Sequence, residues 1–303
     1  MTQLLALLLL LALTGCLEFE DQTLTYRYDA KADTLRIFQD YRGIYGAKDK
    51  SQLDEEEIAQ LDSVLNGQRT FFFNNWISEY NEASLREALD SFKDPVKRKE
   101  SNEPEPALAA YEKLLALALE NVRVENGGFY LDAKGRLSAT QRVTVSQVSR
   151  LIAAGNVAIR EALKAASAKD STSSEDKAAF LKALQGPADF IRLQGNLATV
   201  HFPITREQFD KAMTDEDSGA RQWREFKRQG GKASFENGQA TWTHGAVTET
   251  NTVVNLPVFA GPYVTNVVAA VKKRSGVVGK FDPLAAAREF VNSSISSPTE
   301  KKR

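Results

Sequence analysis

One thiol, two imidazoles and a scatter of carboxylates are the groups of this 303-residue sequence that could do chemistry. Cys16 is the only cysteine, so a disulfide within the chain and a cysteine-rich metal site are both excluded. A zinc site built on histidine would need both His201 and His244 together with carboxylates, and each falls on or beside an expected strand. Ser174-Glu175-Asp176-Lys177 has the Ser-x-x-Lys spacing of a penicillin-binding nucleophile, but Ser-Asp-Asn and Lys-Thr-Gly are both missing. A solvent-facing helix start accounts for those residues. Asp215-Glu216-Asp217-Ser218-Gly219 hints at a calcium loop, yet Ala220 stands where glycine is required and Phe226 where the bidentate glutamate belongs. Gly-x-Ser-x-Gly, His-Glu-x-x-His, Gly-x-Gly-x-x-Gly and the phosphate loop are absent, and no cofactor is expected. Paired carboxylates leave no sequence signature. Asp40 beside Tyr41-Arg42, or Glu79 beside Tyr80, could be such groups, but nothing in the sequence raises them above ordinary surface acids, and no catalytic residue is assigned. Tyr26, Tyr28, Tyr41 and Tyr45 could stack a sugar or simply pack a sheet face.

The environment of Cys16 is more telling than its thiol. It follows the run Leu4-Leu5-Ala6-Leu7-Leu8-Leu9-Leu10-Leu11-Ala12-Leu13 and the small residues Thr14-Gly15. A bilayer-spanning helix needs about 20 apolar residues, so this shorter stretch reads as a signal-peptide core. Leu13-Thr14-Gly15-Cys16 resembles the lipobox of bacterial lipoproteins. The resemblance covers about 16 residues; Met1-Thr2-Gln3 departs from it in carrying no lysine or arginine. It implies that residues 1–15 are removed, that the Cys16 thiol takes a diacylglycerol, and that its new amino group is acylated. In enteric members an aspartate after the cysteine retains the protein in the inner membrane; Leu17 stands here, which implies the outer membrane.

Cleavage there leaves 288 of the 303 residues, enough for one large domain or two small ones. A net charge of −1 argues against a nucleic-acid partner, whose phosphates demand surplus cations. The charge is uneven: residues 17–66 hold 12 acidic against 6 basic side chains, and residues 272–303 hold 8 basic against 3 acidic.

The elements that must position these groups follow from periodicity. Alternation through Leu24, Tyr26 and Tyr28, then Leu35, Ile37, Gln39 and Tyr41, predicts a β-hairpin turning at residues 29–33. It starts so soon after Cys16 that the domain is expected close to the membrane surface. Helices are expected over 51–66, from Leu85 to Pro95, through Leu108 to Leu119, and from about 146 to 168. The aromatic run at 71–76 reads as core, and 97–106 as an exposed loop. Asn126-Gly127-Gly128 and Ala133-Lys134-Gly135 are expected to split 122–145 into a three-stranded meander. Residues 166–176 are the most linker-like stretch and the place for any weak subdivision. Beyond them come a strand over 190–202, a helix through Phe209 and Met213, a hairpin about Asn237-Gly238, and a strand over 247–256. A helix after Pro262, a last helix opened by Asp282-Pro283 and a polar tail over 292–303 complete the chain.

Locally joined hairpins with grouped helices predict an α+β fold with an antiparallel sheet, occupying residues 16–291. The function expected is a lipid-anchored envelope protein that binds a protein or glycan partner, or is structural, without catalysis. A carboxylate-based envelope hydrolase and a carrier of hydrophobic ligands are the alternatives.

Overall fold

The computed structural model describes residues 17–46, 82–101, 103–169, 189–202, 204–214, 227–236, 239–248, 250–257 and 277–293, with isolated positions at 55, 57–59, 224 and 268. Cys16 and the signal, the aromatic run at 71–76, Glu79, the 174–177 and 215–219 motifs and the tail beyond 293 lie outside them. So do most of the helices expected over 51–66 and after Pro262.

The fold is α+β, and its named strands pair only antiparallel. Strand β1 (Leu17–Glu18) pairs with β4 (Tyr45–Gly46). Strands β2 (Asp21–Asp29) and β3 (Thr34–Arg42) form the expected hairpin. Next come helices α1 (Glu82–Lys93), α2 (Pro95–Glu100) and α3 (Glu105–Asn121), strands β5 (Val122–Leu131) and β6 (Leu137–Ser146), and helix α4 (Val148–Lys169). The last third holds β7 (Ile191–Gln194), β8 (Leu197–Phe202), α5 (Arg206–Thr214), β9 (Lys232–Glu236), β10 (Gln239–His244), β11 (Thr252–Pro257) and α6 (Pro283–Asn292). A five-stranded sheet runs β11-β2-β3-β6-β5, and a four-stranded one runs β7-β8-β10-β9.

Three expectations are corrected. Residues 122–146 make two strands, because Asn126-Gly127-Gly128 is a β-bulge. A Cβ on Gly127 would stand 2.2 Å from the Thr140 hydroxyl, and Gly128 has φ +89°, so this glycine pair absorbs an extra residue without reversing the chain. Residues 97–106 are mostly helical. The side chain of Asp94 accepts the Val96 amide at 2.8 Å and Pro95 occupies the first turn, so the proline that stops α1 also starts α2. Residues 190–202 form a hairpin, β7–β8, turning at Gly195-Asn196.

Period-2 alternation gives the five-stranded sheet two different faces. On one, Val143, Val145 and Val148 form a buried cluster with Tyr28, Leu35, Ile37, Val122, Val124, Leu151 and Ile152, so this face packs on α4. Asp33 ties the two together: its carbonyl accepts the Val148 amide and its carboxylate accepts the Ser149 amide and hydroxyl, capping the start of α4 from the hairpin turn. The opposite face is mostly polar; its apolar side chains include Phe38, which packs against Ala287 and Val291 of α6, and the exposed Val253 of β11.

Candidate functional site

The polar face carries Asp40, one of the two carboxylates named from the sequence. Asp40 pairs in register with Thr23 on β2 and Thr140 on β6, and it is only 4% exposed. The Tyr130 hydroxyl, from β5, donates to its Oδ1 at 2.5 Å. Arg42 Nε lies 3.9 Å from the other carboxylate oxygen, and Arg42 also pairs with Asp21. Arg42 Nη2 donates to the Thr23 hydroxyl at 2.8 Å, which donates in turn to Asn255 Oδ1 at 2.6 Å. A polar belt thus crosses the sheet from β11 to β5. The Phe281 ring sits 4.9 Å from that of Tyr130 and closes this end. Phe281 is held by Val278, whose backbone bonds Phe129 and Leu131 on the sheet edge.

Burial dominates the electrostatics here. It raises the Asp40 carboxyl from the ordinary 3.8 to about 6, although the Tyr130 hydrogen bond and the Arg42 charge both pull it down. Tyr130 is held well above its usual range by burial and by the Asp40 charge, so its hydroxyl keeps its proton and serves as a donor. The second carboxylate, Asp21, is committed to Arg42. The cluster can exchange a proton near neutral pH, but Asp40 and Tyr130 are buried and present no pair of facing carboxylates to a substrate.

At the other end of the same face Arg27 and Arg36 stand directly opposite each other across β2 and β3. With Asp29, Thr34, Val291, Asn292 and Ser293 they line a cavity of about 220 Å³ beside the end of α6. Alternation places Arg27 on this face; the pairing with Arg36 depends on register, which the turn at 29–33 sets.

The two histidines do not form one site. His201 is the register partner of Thr241, and its Nδ1 lies 3.0 Å from that hydroxyl. His244 is three residues further along β10, so it projects from the opposite face of the four-stranded sheet, with Nε2 3.2 Å from the Gln229 carbonyl. Burial, then the Arg192 charge, lowers the His201 pKa. The hairpin tyrosines pack instead of forming a stacking platform. Tyr41 and Tyr45 are buried, Tyr26 donates to the Asn196 carbonyl at 3.0 Å, and Tyr28 donates to Asp33 at 2.8 Å.

No family model matches the chain, and no match to it was found among curated proteins or solved structures. Among the described residues no helix is long and apolar enough to cross a membrane.

Proposed function

We propose that the protein is a bacterial envelope lipoprotein, tethered through acylated Cys16 and sorted to the outer membrane. Its α+β domain works at the membrane surface as a non-catalytic binding or structural module. The observation that carries this reading is the join between motif and fold. Leu17, the residue after the lipobox cysteine, is already paired with Gly46, and Glu18 with Tyr45. Such an anchor would leave no flexible leash, so the five-stranded sheet would be held beside the lipid. A hydrolase reading draws on the raised pKa of Asp40 alone, and the burial of that carboxyl weighs against it.

Two or more acyl chains, at about 0.8 kcal/mol per buried methylene, hold a protein on a bilayer durably. Cys16→Ala removes the only thiol that could accept diacylglycerol. In fractionated cells the wild-type chain is expected in the membrane pellet and released by detergent but not by salt. The variant is expected either in the soluble fraction or as an unprocessed precursor. A Cys16→Ala protein of mature size that stays with the pellet would contradict the reading.

A further inference from the structure

The cavity at Arg27 and Arg36 is built against ordinary sheet economy. Like charges directly opposite on antiparallel strands repel, and a sheet gains nothing from them unless something negative lies between. Neither guanidinium is ion-paired among the described residues. Arg27 Nη1 donates to Asn292 Oδ1 at 3.2 Å, and Arg36 Nη1 donates to the Ser293 carbonyl. Those bonds supply cations to the end of α6, whose last turn holds none of its own. Each bond uses one nitrogen, so among the described residues Nε and Nη2 of both arginines remain to donate. Asp29 is the carboxylate in the lining, and its Oδ1 already accepts the Lys31 and Ala32 amides of the turn. Among the described residues, two full positive charges therefore face one carboxylate and the roughly half-unit negative end of a helix. Burial, then the Arg27 charge, pulls the Arg36 pKa below its usual value, as expected for a cation short of counter-charge.

We propose that this cavity binds a small oxyanion, the phosphate group of a soluble molecule or of a lipid headgroup. Arginine forks match phosphate oxygens in bidentate geometry, and two forks on neighbouring strands can grip one group from two sides. The volume of about 220 Å³ is below the ~300–1,000 Å³ of sites for drug-sized ligands, which suits one small charged group. Arg27 lies six residues along β2 from Asp21, or about 20 Å at ~3.3 Å per residue. That places the cavity at the end of the strand far from β1, which favours a soluble source. The proposal gives a ligand class to the binding module and rests on that reading for its setting only; its test with inorganic phosphate is independent of Cys16.

The test follows thermal unfolding of the full chain in detergent, titrated with inorganic phosphate at constant ionic strength set by chloride. A saturable rise in Tm is expected. R27Q and R36Q should each weaken phosphate by ~10-fold or more, as loss of a charged hydrogen-bonding group does. R150Q, exposed on α4 against the opposite face of the sheet, should bind as wild type and controls for net charge. Without phosphate, R27Q should unfold at or above the wild-type temperature because the like-charge pair is relieved, whereas arginines that only cap α6 predict a fall. A second arm places the chain in phosphatidylcholine vesicles with and without phosphatidylglycerol, free of phosphate. A rise there alone, lost in R27Q and R36Q, keeps the site and assigns it to headgroups. No rise in either arm, or a rise that both variants retain, overturns the proposal. An unlipidated Cys16 would leave the outcomes of the inorganic-phosphate arm unchanged.

Discussion

The two faces of the five-stranded sheet bury polar groups in opposite ways. Against α4 and the β1 segment, the buried polar side chains are neutral: Gln22, Gln39, Gln141 and the Tyr41 hydroxyl. Gln22 Nε2 donates to Gln39 Oε1 at 3.2 Å, and Tyr41 donates to the same oxygen. Such groups cost little once they bond one another, and they stay uncharged through neutral pH, burial holding the Tyr41 hydroxyl well above its ordinary range. On the α6 face the neutral Thr25, Ser138 and Thr140 are joined by the buried or half-buried charges of Asp21, Asp40, Arg42, Arg142 (over the Phe290 ring), Arg27 and Arg36. Charge out of water has to be paired, shifted in pKa or left with an electrostatic deficit. Asp40 is shifted, Asp21 and Arg42 are paired, and Arg27 and Arg36 are left short of anion. One face is finished as core; the other is finished only at the Phe281 end.

Breaking the neutral face should cost most. Tyr41 is 0% exposed and meets Phe19 edge-on at 5.2 Å between ring centres. Tyr41→Ala empties a packed site and strips Gln39 of a donor, so denaturant unfolding should show a loss of ~3–5 kcal/mol with no dependence on phosphate.

The charged face should respond to pH. Because the folded pKa of Asp40 is about 6 against 3.8, the folded state holds its proton more tightly than the unfolded chain does. Its contribution is therefore fully favourable below about 3.8 and is lost as pH rises through about 6. A two-unit shift corresponds to ~3 kcal/mol at most. Asp40→Asn should flatten that part of the stability–pH curve and equal or exceed wild type at pH 7, as measured by urea unfolding across pH 4–8.

A smaller effect belongs to the junction between the sheets. Asn196 is 1% exposed; its side chain accepts the Tyr28 amide at 2.7 Å and its carbonyl accepts the Tyr26 hydroxyl. Asn196→Ala leaves the β2 amide beyond the end of β11 without its acceptor and should cost ~1–3 kcal/mol, with hydrogen exchange rising at Tyr28 before it rises in the α4 face.

What could be read beforehand was whatever is local. Alternation in the first hairpin placed Gln39 and Asp40 on opposite faces, and Asn237-Gly238 gave the β9–β10 hairpin, with Gln239 opposite Glu236. Asp282 with Pro283 gave α6, where Asp282 accepts the Leu284 and Ala285 amides. Where one residue type serves two purposes, local reading failed. Asn126-Gly127-Gly128 could turn or bulge, and the facing Thr140 decided for a bulge. Pro95 ends α1 as expected, and with the Asp94 carboxylate as its cap it also begins α2, which the charged stretch after it concealed. Gly195-Asn196 carried a hairpin signal inside a run taken as one strand. The arginine pair needed cross-strand register, and the Tyr130–Asp40 bond joins residues 90 positions apart, beyond any window of periodicity.

The central claim, a domain fixed at the membrane by its first residue and offering a charged sheet face for binding, is tested most directly by the mass of its N-terminal peptide. Mass spectrometry of protein purified from its native membrane should find a chain beginning at Cys16, carrying diacylglycerol on sulfur and an acyl group on nitrogen. An unmodified Cys16 inside a longer, soluble chain would contradict it.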